Sequence, residues 1–270
     1  MSPISIPGKV TLSQTQVFPD DLDAAAYVLA IEAADGQELE PAVRLAYNAF
    51  IKGCKSDGIW DAIKASCILA GARTLNGALI PLKGTAPTNY NFVAGDYDRE
   101  TGLKGNSAPF STRYLDSNRN NTTDPQNDKH ITVWVTSPDT TANCSYFGAG
   151  VTVNGSSTHF GSTTYGHYFN LNSPLLLAGD SYSNTGLIGV TRSNSTQLVY
   201  KTGGASSPTT VASTSAAPFN ETIRIFRRGD LNHAYTNARL SFYSIGESLD
   251  LALLDNRVTT LMTDIGAAIP

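Results

Sequence analysis

The stretch RLSFYSIGESLDLALLDNRVTTLMTDIG, residues 239–266, decides how the chain is read. Its first eight residues read as a strand and its exit, while Leu251, Leu254, Val258, Leu261 and Ile265 recur at steps of three and four. That spacing belongs to a helix with one apolar face. Asp250 can cap the first turn with its side chain, Gly266 suits the position just beyond the last turn, and Pro270 could not continue a helix. The spacing therefore predicts a short helix whose stripe must lie against something: either the β structure that precedes it or the same helix of a neighbouring subunit. Leu254, Val258, Leu261 and Ile265 are the candidate interface residues.

Working upstream from residue 239, the chain is rich in Ser, Thr, Asn, Gly and Tyr and in short strand-like runs. These are GLKG (102–105), STRYLDS (111–117), HITVWVT (130–136), CSYFGAGVTV (144–153), HYFNLN (167–172), GLIGVTRS (186–193), STQLVYKTG (195–203), ETIRIFRRG (221–229) and ARLSFYSIG (238–246). Ile131, Val133 and Val135 alternate, as do Ile223 and Ile225, so each set shares one side of a pleated strand. Asn154-Gly155, Gly203-Gly204 and Gly229-Asp230 are turn signals between runs. With no 10-to-15-residue helical pattern between strands, a parallel sheet is not expected, and the class is an antiparallel two-sheet sandwich.

Composition changes near residue 85, before which Ala, Leu, Ile and Glu dominate. The expected organisation is an extended arm (1–18), a small helical attachment unit (19–84) and a β-sandwich with its terminal helix (85–270). The arm carries Pro3, Pro7 and Pro19 among β-branched residues, which suits extended backbone that pairs along a neighbour's edge or follows a surface. Three helices are expected in the attachment unit. The first follows Asp20-Asp21, with Leu22, Ala26, Leu29 and Ala33 on one face and Gly36 at its end. The second starts at Pro41, carries Val43, Ala46, Tyr47 and Phe50 as its stripe, and has Gly53 beyond its end. The third lies in SDGIWDAIKASCILAG, with Ile59, Ile63 and Cys67 aligned.

At 270 residues, 41% hydrophobic and 16% charged, the chain can bury a substantial core, and its net charge of −4 points to no particular partner. Nineteen Lys and Arg residues lie scattered, so nucleic acid is not an expected partner. Cys54, Cys67 and Cys144 form no CxxC pair and are expected as reduced thiols, Cys54 and Cys67 as small core residues of helices. The first residues lack a basic segment followed by an apolar one, and the longest apolar runs fall far below about 18 residues, so neither an export signal nor a membrane span is expected.

GALIPLKGTAPTNYNF, DYDRETGLKGN and TRYLDSNRNN, the central ITVWV, and RLSFYSIGESLDLALLDNRVTTLMTDIG resemble the concanavalin A-like, laminin-G type jelly rolls of structural proteins of tailed phages. The resemblance covers about residues 75–269, and 39–73 also look like what accompanies the fold in phage proteins. It implies a strand ending in YSIG that leads into a terminal helix packed on the sandwich. It further implies a virion component with other virion proteins as partners, and the expected lack of an export signal fits a protein made in the host cytoplasm and released by lysis.

No catalytic constellation accompanies that fold. Glycosidases need two carboxyl groups about 5 to 10 Å apart, whereas Glu100, Glu221 and Glu247, the only glutamates of the β region, each stand alone. GxSxG, HExxH and a phosphate loop are absent from the sequence, and His130, His159, His167 and His233 are expected at surfaces or edges. No enzyme activity and no cofactor are expected. DYDRETG places Asp96, Asp98 and Glu100 as a calcium loop does, but its Gly comes one place late and Ser107 stands where a bidentate Glu is required, so a solvated turn is expected and no metal.

The polar segment LDSNRNNTTDPQNDKH (115–130) is the candidate glycan contact. Asn118, Arg119, Asn120, Asp128 and His130 offer multivalent hydrogen bonding to sugar hydroxyls, and Tyr114, Trp134, Tyr146 or Tyr182 could supply a platform for the ring. The alternative is that Asn, Asp and Pro simply make turns there. Together these readings give a non-enzymatic structural protein of a phage particle, a tail-fibre, baseplate or collar appendage touching host surface carbohydrate, and a homo-oligomer with a trimer favoured. The alternative is a capsid decoration protein clamping neighbouring capsid subunits.

Overall fold

The computed structural model describes residues 18–106, 112–139, 143–151, 154–162, 166–178, 184–229 and 236–270. The arm, Phe18 apart, lies outside them, as do Tyr182 and His233. In chain order the elements are α1 (Leu22–Asp35), α2 (Pro41–Ser56), β1 (Ile63–Ile68), α3 (Leu75–Ala78), β2 (Thr88–Tyr90), β3 (Tyr97–Asp98), β4 (Gly102–Lys104), β5 (Tyr114–Asn120) and β6 (Lys129–Ser137). There follow β7 (Asn143–Cys144), β8 (Phe147–Ala149), β9 (Ser157–Ser162), β10 (Gly166–Leu171), β11 (Leu176–Leu177), β12 (Gly186–Arg192), β13 (Gln197–Lys201), β14 (Thr209–Ala212), β15 (Thr222–Ile225), β16 (Arg239–Gly246) and α4 (Leu251–Ala268).

The strands form two antiparallel sheets. Sheet A runs β14-β13-β12-β6-β16-β4-β3, with β1 also on β16, and sheet B runs β11-β10-β9-β8-β15-β5-β2, with β7 also on β9. Ile131, Val133 and Val135 point between the sheets with Leu115, Phe147, Phe169, Ile188, Val190, Ile223 and Ile225. A second core lies on the other side of sheet A, where α1, α2 and α4 pack with Leu187 and Phe242. The molecule thus has a helical layer, sheet A and sheet B. An irregularity between Leu240 and Phe242 shifts the register of β16. It sends Leu240, Tyr243 and Ile245 to one core and Phe242 to the other, as a bulge does by adding a residue to one strand.

The terminal helix forms as its sequence dictates. Asp250 accepts hydrogen bonds from the N–H groups of Ala252 (2.8 Å) and Leu253 (3.2 Å), and Leu251, Leu254, Val258, Leu261 and Ile265 are all buried. The stripe lies within the chain's own second core, and Arg257 grips Asp57 at the end of α2 through two 2.7 Å hydrogen bonds. The four candidate interface residues therefore seal the subunit itself and are not available to a neighbour's helix. Gly266 lies inside the last turn, and the helix ends at Ala268.

Two other expectations are corrected. SDGIWDAIKASCILAG does not form a third long helix: after a turn, its second half is β1, paired antiparallel with β16 from Ile63↔Gly246 to Ile68↔Phe242. β1 is buried on both sides, Ala65 and Cys67 in one core and Ile63 and Ile68 in the other. A doubly buried strand is a continuous apolar run and satisfies helical spacing by chance. In α1 the expected face points outward, with Leu22 87% and Leu29 55% exposed, while Ala24, Tyr27, Val28 and Ile31 are buried. The helix is apolar nearly all round, so two stripes fit. The one carrying Tyr27 and Ile31 removes more apolar area from water. The caps Asp21 and Gly36 and the stripe of α2 form as expected, with Gly53 inside α2.

Cys54, in α2, and Cys67, in β1, are buried free thiols, and burial pushes each up to about 12. Only the thiolate reacts with alkylating agents. We therefore expect the native chain to resist a maleimide at neutral pH and to be labelled at both positions once urea unfolds it. Labelling at the native rate of a free peptide thiol would contradict this burial.

Candidate functional site

The cleft of interest lies where α4 leaves part of sheet A uncovered. Because Ile131, Val133 and Val135 face the inter-sheet core, Trp134 must face the helical layer. There it forms a row across three strands, opposite Leu187 of β12 and Phe242 of β16. Phe242 is covered by Phe50 of α2, edge to face at 5.7 Å. The Trp134 end of the row stays half-buried, and beside it opens a cleft of about 460 Å³.

Trp134, Gly186 and Leu187 line the cleft together with Lys201 and the Gly204-Ala205 turn, and with Asp255 and Thr259, which lie one turn apart on α4. Thr136 and Thr185 add hydroxyls. Gly204 has φ +79°, a conformation glycine adopts without strain, and this turn brings the Ala205 carbonyl to Lys201. The Lys201 ammonium is almost fully buried, donates to Ala205 O at 2.5 Å and lies 3.3 Å from the Asp255 carboxylate. It is a fixed cation with a fixed anion beside it. An apolar aromatic surface next to held donors and acceptors suits a ligand with one apolar face and a polar rim, and the volume falls in the range of small-molecule sites.

The residues expected to contact glycan do not converge. Asn118, at φ +56°, lies on the outer side of sheet B and donates to Ala86 O (2.8 Å) and Thr88 Oγ1 (3.0 Å). Arg119 pairs with Asp124, Nε to Oδ2 at 2.8 Å. Asn120 donates to Asn220 Oδ1 (2.9 Å) and accepts from Thr122 N (2.8 Å), an Asx turn. Asp128 accepts from Ser248 N at 2.7 Å. His130 is fully buried, with Nδ1 2.5 Å from Glu247 O and Nε2 2.7 Å from Ser244 Oγ. A carbonyl only accepts, so Nδ1 carries the proton and Nε2 receives the Ser244 hydroxyl. Burial depresses this imidazole to about 4. The segment mostly builds turns and cross-links, and of the set only Trp134 lines the cleft.

Burial also corrects the other histidines. His159 and His167 are internal, Nε2 to Nδ1 at 2.8 Å, and Tyr146 stacks on His159 at 4.5 Å, so it is no platform. In DYDRETG, Asp98 accepts from Glu100 N, Thr101 N and Thr101 Oγ1, while Asp96 pairs with Arg113 at 2.7 Å. These carboxylates close a turn and hold a neighbour, and among the described residues no group of three His, Cys, Asp or Glu side chains could hold a metal ion. No helix described is long and apolar enough to cross a membrane.

No family model matches the chain, and no curated protein matches it. Solved structures to which the chain is similar include the botulinum neurotoxin serotype D binding domain, at 10% identity and TM-score 0.47, over 74% of this chain and 51% of that one. The binding domain of botulinum neurotoxin DC in complex with SialylT is similar at 11% identity and TM-score 0.45, over 76% and 52%. A structure described as a receptor binding domain is similar at 12% identity and TM-score 0.47, over 79% and 53%. The chain spans about half the length of each. The two-sheet architecture stands on its own strand order.

Proposed function

We propose that this chain is a lectin-like structural protein of a tailed-phage particle, a tail-fibre, baseplate or collar appendage that holds host surface saccharide in the Trp134 cleft and runs no reaction. The observation that carries the binding role is the half-buried indole of Trp134 flanked by the Lys201–Asp255 ion pair. A pyranose ring has an apolar C–H face for the indole and hydroxyls for the charged rim. The phage assignment rests on the resemblance of the sequence segments to virion jelly rolls, and the virion location follows from it. Among the described residues that line the cleft the one carboxylate is Asp255, paired with Lys201. Hydrolysis of a glycosidic bond uses two, and the proposal assigns this cleft binding alone.

The test is calorimetric titration of the full chain with oligosaccharides released from the host cell surface. Trp134→Ala is expected to weaken binding tenfold or more, about 1.4 kcal/mol, in protein that still melts cooperatively but a few degrees lower, since the indole also packs against the second core. Unaltered affinity in that variant would remove the cleft from the account.

Assembly into a homo-oligomer, with a trimer favoured, belongs to the same proposal. Support comes from α1, whose outward Leu22, Ala26, Leu29 and Ala33 follow the 4-3-4 spacing by which one helix packs on another. Sedimentation is expected to give an oligomer for the intact chain and a smaller species for Leu22→Glu/Leu29→Glu. A monomer for the intact chain ends the assembly proposal.

A further inference from the structure

We infer that the Trp134 cleft is one end of a longer groove beside α4, and that the groove takes a linear, uncharged oligosaccharide, with a second subsite over β12, β13 and β14. The inference rests on the reading of the Trp134 cleft as a saccharide site and narrows the class of saccharide.

The register of sheet A sets the groove out in rows. Leu187, Gly189 and Thr191 alternate along β12 and share the side that faces the helical layer. Leu187 stands opposite Trp134, Gly189 opposite Lys201, and Thr191 opposite Val199, which in turn stands opposite Thr210 of β14. The Trp134 row and the Thr210 row are four residues apart on β12, roughly 13 Å. On α4, Ala252, Asp255 and Thr259 follow the spacing of a single helix face over about 10 Å. The two walls therefore match in length: Asp255 and Thr259 line the Trp134 end, and Ala252 lines the Thr210 end. Between the ends, the Lys201 side chain is 3% exposed, so it lies in the floor of the groove beneath Asp255 and is no barrier across it.

The second subsite is a cleft of about 460 Å³. Thr191 builds it: its hydroxyl donates to Lys129 O at 3.2 Å and accepts from Leu249 N at 3.3 Å, which pins the link between β16 and α4 to the sheet. Val199 and Leu251 give the cleft apolar surface, and the hydroxyls of Ser193, Thr210 and Ser248 rim it with no hydrogen-bond partner among the described residues. Alternating apolar surface and unpaired hydroxyls again suit a ring with C–H faces and a hydroxyl edge.

Charge and length choose the ligand. The charged side chains lining the two ends are Lys201, Asp255 and Asp250, so the groove carries one carboxylate beyond its ion pair. An acidic sugar would meet like charge there, whereas the hydroxyls of an uncharged one donate to a carboxylate. The distance between the rows exceeds one pyranose ring. A chain of linked rings lays one ring on the indole and a later one beside Val199 and the three hydroxyls.

The experiment sorts oligosaccharides released from the host cell surface by charge and by length and titrates each fraction into the full chain. The expected result is that uncharged fractions bind, that affinity rises tenfold or more from one ring to four, and that acidic fractions bind more weakly. Ala252→Leu fills the second subsite while keeping a strong helix former on α4. It should bring four-ring binding down to the single-ring level and leave single-ring binding as in the native chain. Thr210→Ala should lose several-fold at four rings only, and Trp134→Ala should weaken every length. If Ala252→Leu does not fold, Thr210→Ala decides, since Thr210 is exposed. Affinity that stays level from one ring to four, acidic fractions that bind as tightly as uncharged ones, or native four-ring affinity in these two variants overturns the second subsite. Single rings whose binding depends on Trp134 then leave the reading of that cleft in place, whereas binding of no fraction overturns both.

Discussion

Leu254→Asp and Leu261→Asp are each expected to lower folding stability by about 4 kcal/mol or more, because each buries a charge without a partner. Leu254 is 0% and Leu261 1% exposed, within the core shared by α2, α4 and the outer side of sheet A. The neighbouring ion pair, Arg257–Asp57, is already made, so no cation waits there for the new carboxylate. For a chain of this size such a loss corresponds to a fall in melting temperature of roughly 10 °C. Leu→Ala at the same sites removes volume without adding charge and should cost about 2–5 kcal/mol. Thermal melts of the two Asp variants decide the point, and because the stripe packs within its own subunit, the losses should not depend on protein concentration. Melting like the native chain in both variants would show that the stripe is exposed.

The second large effect is with acid. His130, fully buried, is depressed to about 4, and His159 is held well below the usual imidazole range; in both cases the first cause is burial, which disfavours the charged ring. The unfolded chain binds protons on these rings near pH 6.5, where the folded chain does not. Stability is therefore whole above that pH and is lost as pH falls from about 6.5 toward about 4. For His130 alone the shift corresponds to about 3 kcal/mol. Asp20, Asp21, Glu40, Asp57 and Asp98 have lowered values too, but their contributions are present above the ordinary carboxylate range and vanish only below about pH 4. Urea unfolding at pH 7.5, 5.5 and 4.5 separates the two windows. A flat profile down to pH 4.5 would contradict the buried neutral histidines.

The terminal helix and most strands were legible because their signals are local: an Asp cap, a single apolar stripe, and alternation such as Ile131-Val133-Val135. β1 reads as helix in sequence because tertiary burial on both sides erases the period that separates strand from helix. The buried face of α1 is not legible in sequence because Leu22/Leu29 and Tyr27/Ile31 are both apolar stripes, and only the partner surface chooses between them. His130 reads as polar in sequence, yet two hydrogen bonds to the exit of β16 satisfy it inside the protein. Lys201 and Asp255 carried no signal at all: they lie 54 positions apart, on β13 and α4, and meet only because that helix folds back on the sheet. Trp134 stands out in sequence as an aromatic beside a polar segment, but its neighbours in space are different from its neighbours in sequence.

The chain holds two tryptophans, Trp60, 6% exposed, and Trp134. Each gives one indole N–H signal in a ¹⁵N-correlated NMR spectrum, assignable with Trp60→Phe. Titration with host-surface oligosaccharide is expected to shift the Trp134 indole saturably, to leave Trp60 in place, and to return the sugar uncleaved. A Trp134 signal that stays still at saturating sugar, or products of cleavage in the tube, would contradict a binding module that uses this cleft and runs no reaction.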